Sequence, residues 1–341
     1  MEHKQEMKSC CSAPADPEGP TPEVSEKTEP APAPKSDRAI HNAILGGALI
    51  LGVAIVAATA IATRGGPGEL ISAVSGQKQL VALEESVAPS EGIEIPVTWG
   101  DLGRQMMAAG VIDQGKFEGL YNGRGGMTAD MQAMLTGSNN GRIRMTRENS
   151  GAILNLLWAL GLGNKNEILE QGEMMDPRFT GGPGGFASTG GWTLAQGGPM
   201  DHYSMHGFLQ LDAAAQAKVE RVTQNIYRPC CGNSTHFPDC NHGMAMLGLM
   251  ELMASQGASE KNMYRTALQV NSYWFPEQYV TIAKVLAAQG VAWAKADSEE
   301  ILGAGYSSAA GYQQVAQAAS RLDAPQGQDV SPTPGGGGCS V

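Results

Sequence analysis

Residues 43–62 read AILGGALILGVAIVAATAIA, twenty positions without a charged side chain. At 1.5 Å per residue, a helix of that length crosses a hydrocarbon layer about 30 Å thick. Core helices of soluble domains seldom run so far without one polar side chain, so the stretch reads as a single membrane span. About forty mostly polar residues come first, whereas a cleavable signal peptide has a short basic leader and a shorter apolar run. The expected arrangement is an uncleaved anchor at the cell membrane, with the lipid bilayer as the partner of 43–62. Lys27, Lys35 and Arg38 precede the span and Arg64 and Lys78 follow it, which favours a cytoplasmic N-terminus and an extracytoplasmic C-terminal domain.

The flanks divide the chain further. Residues 1–38 are rich in Pro, Glu, Lys and Ser and nearly devoid of large apolar groups, so they cannot bury enough surface to offset the entropy of ordering. Residues 323–341 end in PTPGGGGCSV, a glycine-rich tail. The expected domains are a disordered tail 1–38, an anchor 39–64, a linker or short helix 65–95, a helical domain 96–322 and a second disordered tail 323–341. Cys339 stands third from the end, where a prenylation box needs its Cys fourth, and Cys10 and Cys11 follow no apolar run of the lipoprotein kind. The net charge of -11, with no cluster of Lys and Arg, excludes a nucleic-acid partner. Nothing in the sequence specifies a protein partner.

Between the tails the expected fold class is all-α, built from helical hairpins with long Gly-rich loops. One device recurs in QMMAAGVID around Gly110, ELMASQGAS around Gly257 and KVLAAQGVA around Gly290: an apolar helix end followed by a glycine that can take the left-handed conformation. Further helices are expected over 150–160, 212–227, 259–273 behind a Ser259 cap, 276–288 with Pro276 at its first position, and 306–322. No alternating strand pattern is expected to compete with them. FTGGPGGFASTGGWTLAQGG at 179–198 reads as a glycine loop, and it lacks the preceding strand and glycine spacing of a phosphate-binding loop.

Chemistry concentrates in 227–253, YRPCCGNSTHFPDCNHGMAMLGLMELM, which holds three of the six cysteines and two of the six histidines. His202 and His206, four apart, lie in MDHYSMHGF, with Asp201 beside them. Thiolates and imidazoles are the side chains that borderline and soft metals select, so Cys230, Cys231, Cys240, His236 and His242, with His202 and His206, are the candidate ligands for zinc or copper. Pro238 and Asp239 read as a helix start, which places Cys240 near the positive dipole end and favours its thiolate. Met246, Met250 and Met253 continue the face of His242; core packing accounts for such a stripe, and assistance to copper is the alternative. Two other readings stay open. In one, Cys240 is the nucleophile of a thiol enzyme with His236 or His242 as base. In the other, a disulfide from Cys240 to one of the adjacent pair staples a scaffold that only presents a surface.

Pro229, Cys230, Cys231, Gly232, His236, Asp239 and Cys240 together resemble the motif of uncharacterised bacterial membrane- or lipid-anchored proteins carrying Pro-Cys-Tyr-Cys-Gly-Cys, then a His and an Asp-Cys pair. This chain lacks the Tyr between the first two cysteines and has Asn233 where the third Cys would follow Gly232. The resemblance implies an extracytoplasmic Cys/His site and supplies no activity or substrate. TWGDLG and PCCGNSTHFPDCNHGMAMLG are likewise similar to segments of uncharacterised bacterial sequences.

Overall fold

The computed structural model describes residues 67–123 and 125–323, with side chains from Gly76 onward. The expected span 43–62 and the tails 1–38 and 324–341 lie outside the described residues, and no helix among the described residues is long and apolar enough to cross a membrane. Two compact units meet at Ala82 and Leu83, inside helix α1 (Pro67–Val87); the core and the cysteines belong to the unit from Leu83 onward.

That unit is mostly helical, with one two-stranded sheet that corrects the expectation of no strands. β1 (Ile93–Gly100) pairs antiparallel with β2 (Asn140–Met145), Ile93 opposite Met145 and Ile95 opposite Ile143. The sequence IEIPVTWG alternates after all: Ile95, Val97 and Trp99 are buried and their neighbours are not. Pro96 masks the pattern, because a proline cannot donate to a ladder; it sits where the register slips between Ile95 and Thr98. Trp99 fixes the sheet to the helices by donating its indole N–H to the Met134 carbonyl at 2.7 Å.

Between the strands run α2 (Leu102–Ala108), α3 (Gln114–Asn122) and α4 (Ala129–Thr136), and after them come α5 (Ser150–Gly163), α6 (Glu167–Gln171), the short α7 (Ala187–Gly190) and α8 (Ala213–Thr223). α9 (Asn241–Ser255), α10 (Glu260–Trp274), α11 (Pro276–Ala288), α12 (Ser298–Leu302), α13 (Ala304–Ser307) and α14 (Ala309–Asp323) complete the chain. The helices expected over 150–160, 212–227, 259–273 and 276–288 all form, and Ser259 caps α10 by accepting from the Asn262 amide. The helix expected over 306–322 forms as α13 and α14, separated at Ser308. The three glycine stops also form: Gly110, Gly257 and Gly290 have φ of 80°, 79° and 81°. After the last two, Ala258 and Val291 donate back to Met253 and Leu286 at 2.9 Å, closing the helix ends and packing an apolar residue on the last turn.

α5 and α9 form the centre. Every residue of α5 from Ala152 to Gly163 and of α9 from Gly243 to Ala254 is buried, so these helices are covered on all sides rather than along one stripe. The methionines of α9 are therefore core residues. The helices cross at Gly161 and Gly248, where a Cβ on Gly248 would stand 2.5 Å from the Leu157 carbonyl oxygen and 2.7 Å from the Gly161 nitrogen. The glycine loop 179–198 is anchored to this centre: Trp158 donates to the Ser188 carbonyl at 2.6 Å and Trp192 to the Val111 carbonyl at 2.8 Å.

One charged side chain lies inside the crossing. Glu251 is 0% exposed and accepts from Asn164 Nδ2 at 3.1 Å and Asn166 Nδ2 at 2.6 Å. Burial raises its pKa well above the ordinary carboxylate value, against the two amide bonds. A folded-state pKa above the unfolded one gives stability that is complete below the unfolded value and lost as pH rises through the folded one. Thermal melts should therefore show the midpoint falling as pH climbs from about 4.5. Both amides are fixed as donors, because Asn164 Oδ1 accepts from Leu209 and Asn166 Oδ1 from Ile168. Glu251→Gln should then melt lower than the parent at pH 4, since its own NH2 meets a donor, and should lose that downward slope; an unchanged slope would assign the effect to another group.

Candidate metal centre

The segment between α8 and α9 forms a loop held at several points before any side chain is considered. Thr235 and His236 donate backbone N–H groups to Ile226 and Thr223, Tyr227 donates to Leu302, and Ala309 donates to the Cys231 carbonyl at 2.9 Å. The turn at 228–231, closed by Cys231 N–H to the Arg228 carbonyl, lets adjacent cysteines face the same point. Cys240 is the N-cap of α9 and accepts from the Gly243 amide at 3.4 Å, one position earlier than a helix start at Pro238 and Asp239 would place it. Its sulfur thus occupies the place where a Ser or Asp oxygen usually satisfies a free amide.

The three sulfurs form a near-equilateral triangle: Cys230 to Cys231 is 3.8 Å, Cys230 to Cys240 is 3.7 Å and Cys231 to Cys240 is 3.6 Å. None is in a disulfide, and each is half-buried. This group could hold a metal ion.

The residue that sequence reading missed is Arg228. It is 1% exposed and spends its whole guanidinium on the loop: Nε to Cys240 Sγ at 3.1 Å, Nη1 to the Asn233 carbonyl at 3.0 Å, and Nη2 to Asp239 Oδ1 at 2.7 Å and the Phe237 carbonyl at 3.4 Å. Asn233 donates to the other Asp239 oxygen at 2.8 Å, so the carboxylate is held on both sides. The signal was present two positions before the first cysteine, and Gly243 is its counterpart: a Cβ there would lie 2.6 Å from Arg228 Cζ. Hydrogen bonds from Cys230 and Cys231, then the Arg228 charge and His242, hold the Cys240 thiol well below its ordinary range despite burial. Cys230 is pushed up by its bonds to Cys231 and Cys240 and by burial. Cys231 is pushed up too, because the bond to Cys240 and burial outweigh the opposite pull of Cys230.

The histidines separate into three places. His242 lies under the aromatic rings of Trp274 and Phe275, at 5.7 and 4.5 Å between centroids, and its Nδ1 is buried with no hydrogen-bond partner. His236 points to Glu173, Nδ1 to Oε2 at 2.8 Å. His202 and His206 pair with each other, Nδ1 to Nε2 at 3.1 Å, with His202 Nε2 against the Gln196 carbonyl at 2.8 Å. Asp201 accepts from the Gly198 amide at 2.8 Å and closes that turn. A surface cavity of about 800 Å3 lies between Val87, Tyr264, Leu268 and Trp293, and no cysteine or histidine lines it.

No family model matches the chain, and no curated protein or solved structure matches it.

Proposed function

We propose that this chain is a membrane-anchored, extracytoplasmic metal-binding protein, whose site takes one zinc ion on Cys230, Cys231 and Cys240. The observation that carries the reading is the sulfur triangle. Around a tetrahedral ion with Zn–S bonds of about 2.3 Å, sulfurs stand about 3.75 Å apart, whereas a planar three-sulfur site at that bond length spreads them to about 4.0 Å. The edges of 3.6 to 3.8 Å let all three sulfurs reach one such ion without separating. The buried Nδ1 of His242, two residues after Cys240, lies outside the group of three sulfurs, so its ring would have to turn away from Trp274 and Phe275 to supply a fourth donor. Arg228 and the Gly243 amide, both on Cys240 Sγ, would orient that ligand and soften its charge.

Two of the thiols lie on the 228–240 loop and the third caps the central helix, so the ion would tie that loop to the start of the helix. The anchor rests on the apolar run 43–62.

The test is elemental analysis of the full-length chain, extracted from membranes with detergent and purified without chelator, beside a count of reactive thiols. One zinc per chain with the three thiols protected is expected. Cys240→Ser should then weaken binding by more than the roughly 10- to 100-fold typical of losing an outer partner. Because thiolate ligands must shed protons, zinc should leave as pH falls. Preparations without metal, in which all three thiols label, would overturn the site. Recovery of the chain in the soluble fraction would overturn the anchor.

A further inference from the structure

We propose that the same three sulfurs form a hydroperoxide-sensitive switch, in which Cys240 is oxidised first and either Cys230 or Cys231 closes a disulfide onto it. The consequence for zinc rests on the reading above; the thiol chemistry does not. Cys240 is marked out by its contacts. It alone of the three touches the Arg228 guanidinium and a helix-start amide, and it has two other thiols at 3.7 and 3.6 Å. Cys230 and Cys231 are adjacent in sequence and can bridge each other only through a strained ring, so each is left to react with Cys240. All three are half-buried rather than sealed in the core, so each residue keeps part of its surface open to solvent.

The electrons balance in two steps. The Cys240 thiolate attacks the terminal oxygen of the hydroperoxide, the sulfur gives up two electrons, the O–O bond breaks, and the departing alkoxide or hydroxide takes a proton from solvent. Cys240 is then a sulfenic acid. The thiol of Cys230 or Cys231 attacks its sulfur, the S–S bond forms, and the hydroxyl leaves as water with that thiol's proton. Two thiols and one hydroperoxide become one disulfide, one alcohol (water, when the oxidant is hydrogen peroxide) and one water. One of three sulfur donors remains, which cannot hold a tetrahedral ion, so oxidation would release the zinc and a dithiol reductant would restore the site. Arg228 acts as a positioning residue: its other donors are taken by Asn233, Phe237 and Asp239, and its Nε fixes the attacking sulfur.

The experiment treats the full-length chain, reduced and either zinc-loaded or zinc-free, with one equivalent of hydrogen peroxide, then alkylates and maps the peptides. The expected product is one bridge from Cys240 to Cys230 or Cys231, with one zinc per chain released to a chromogenic chelator from the loaded form and taken up again after reduction. Cys230→Ser and Cys231→Ser should each still bridge to Cys240, and Cys240→Ser should lose the bridge. A Cys230–Cys231 bridge, a sulfinic acid without any bridge, or unchanged thiols would overturn the switch. A reduced chain that takes up no zinc but still forms the bridge would overturn the metal reading and leave the switch standing. A zinc-loaded chain that forms no bridge and keeps its ion would do the reverse.

Discussion

Replacing Arg228 by Met should destabilise the protein by about 3–5 kcal/mol, the scale of breaking a buried ion pair on one side only. The guanidinium lies at 1% exposure and makes bonds to two backbone carbonyls, to the Asp239 carboxylate and to the Cys240 sulfur. Its removal leaves the largely buried Asp239 carboxylate and the Cys240 sulfur with only neutral donors, Asn233 and the Gly243 amide, in place of a positive charge. Arg228→Lys should recover little, because one ammonium cannot reproduce a planar fork that spans four acceptors. Urea unfolding of the detergent-solubilised chain measures both, and adding Asp239→Asn to Arg228→Met should recover part of the loss, since the two positions share one interaction. A loss under about 1 kcal/mol in Arg228→Met would mean the loop is held by its backbone bonds alone. Zinc should bind this variant roughly 10- to 100-fold more weakly, as for other outer partners of a metal ligand.

Gly161→Val and Gly248→Val should each cost more than the roughly 1–3 kcal/mol usual for overpacking a core. Side chains that are too large ordinarily find room by moving other side chains. Here the obstruction is backbone: a Cβ on Gly161 would overlap the Met244 carbonyl, and one on Gly248 would meet Leu157 O and Gly161 N at 2.5 and 2.7 Å. The helices would have to separate, and they carry the N-cap cysteine and Trp158, which holds the glycine loop at Ser188. Gly151, exposed on the same helix α5 with nothing within 4 Å of an added Cβ, is the control. There Ala should stabilise by up to about 1 kcal/mol through helix propensity alone. Equal effects at Gly151 and Gly161 would refute the close crossing.

Local signals in the sequence were legible where short-range physics decides the outcome. Pro276 at a first helical position, Ser259 as a cap, and the glycines at 110, 257 and 290 each act within one turn, and each stands where expected. The clustering of Cys230, Cys231 and Cys240 was legible for a similar reason, because a single ten-residue loop joins them. The strand β1 was missed because Pro96 interrupts its donors while the burial alternation continues through it. Arg228 was missed because arginines are seldom buried, and nothing within the loop shows that this one would be.

The sequence by itself determined that the core would be helical, that three helices would stop at Gly110, Gly257 and Gly290, and that one segment would carry three of the thiols. It could not determine where the histidines turn: His236 to Glu173, His202 and His206 to each other, and His242 against Trp274 and Phe275. Tertiary structure decided those directions, along with the burial of Arg228 and the contact of α5 with α9 at Gly161 and Gly248. The physical reason is common to all three. Caps and glycine stops depend on atoms a few residues apart. The direction a ring takes, the charge a thiolate sees and the distance of closest approach between helices depend on groups that only packing brings together.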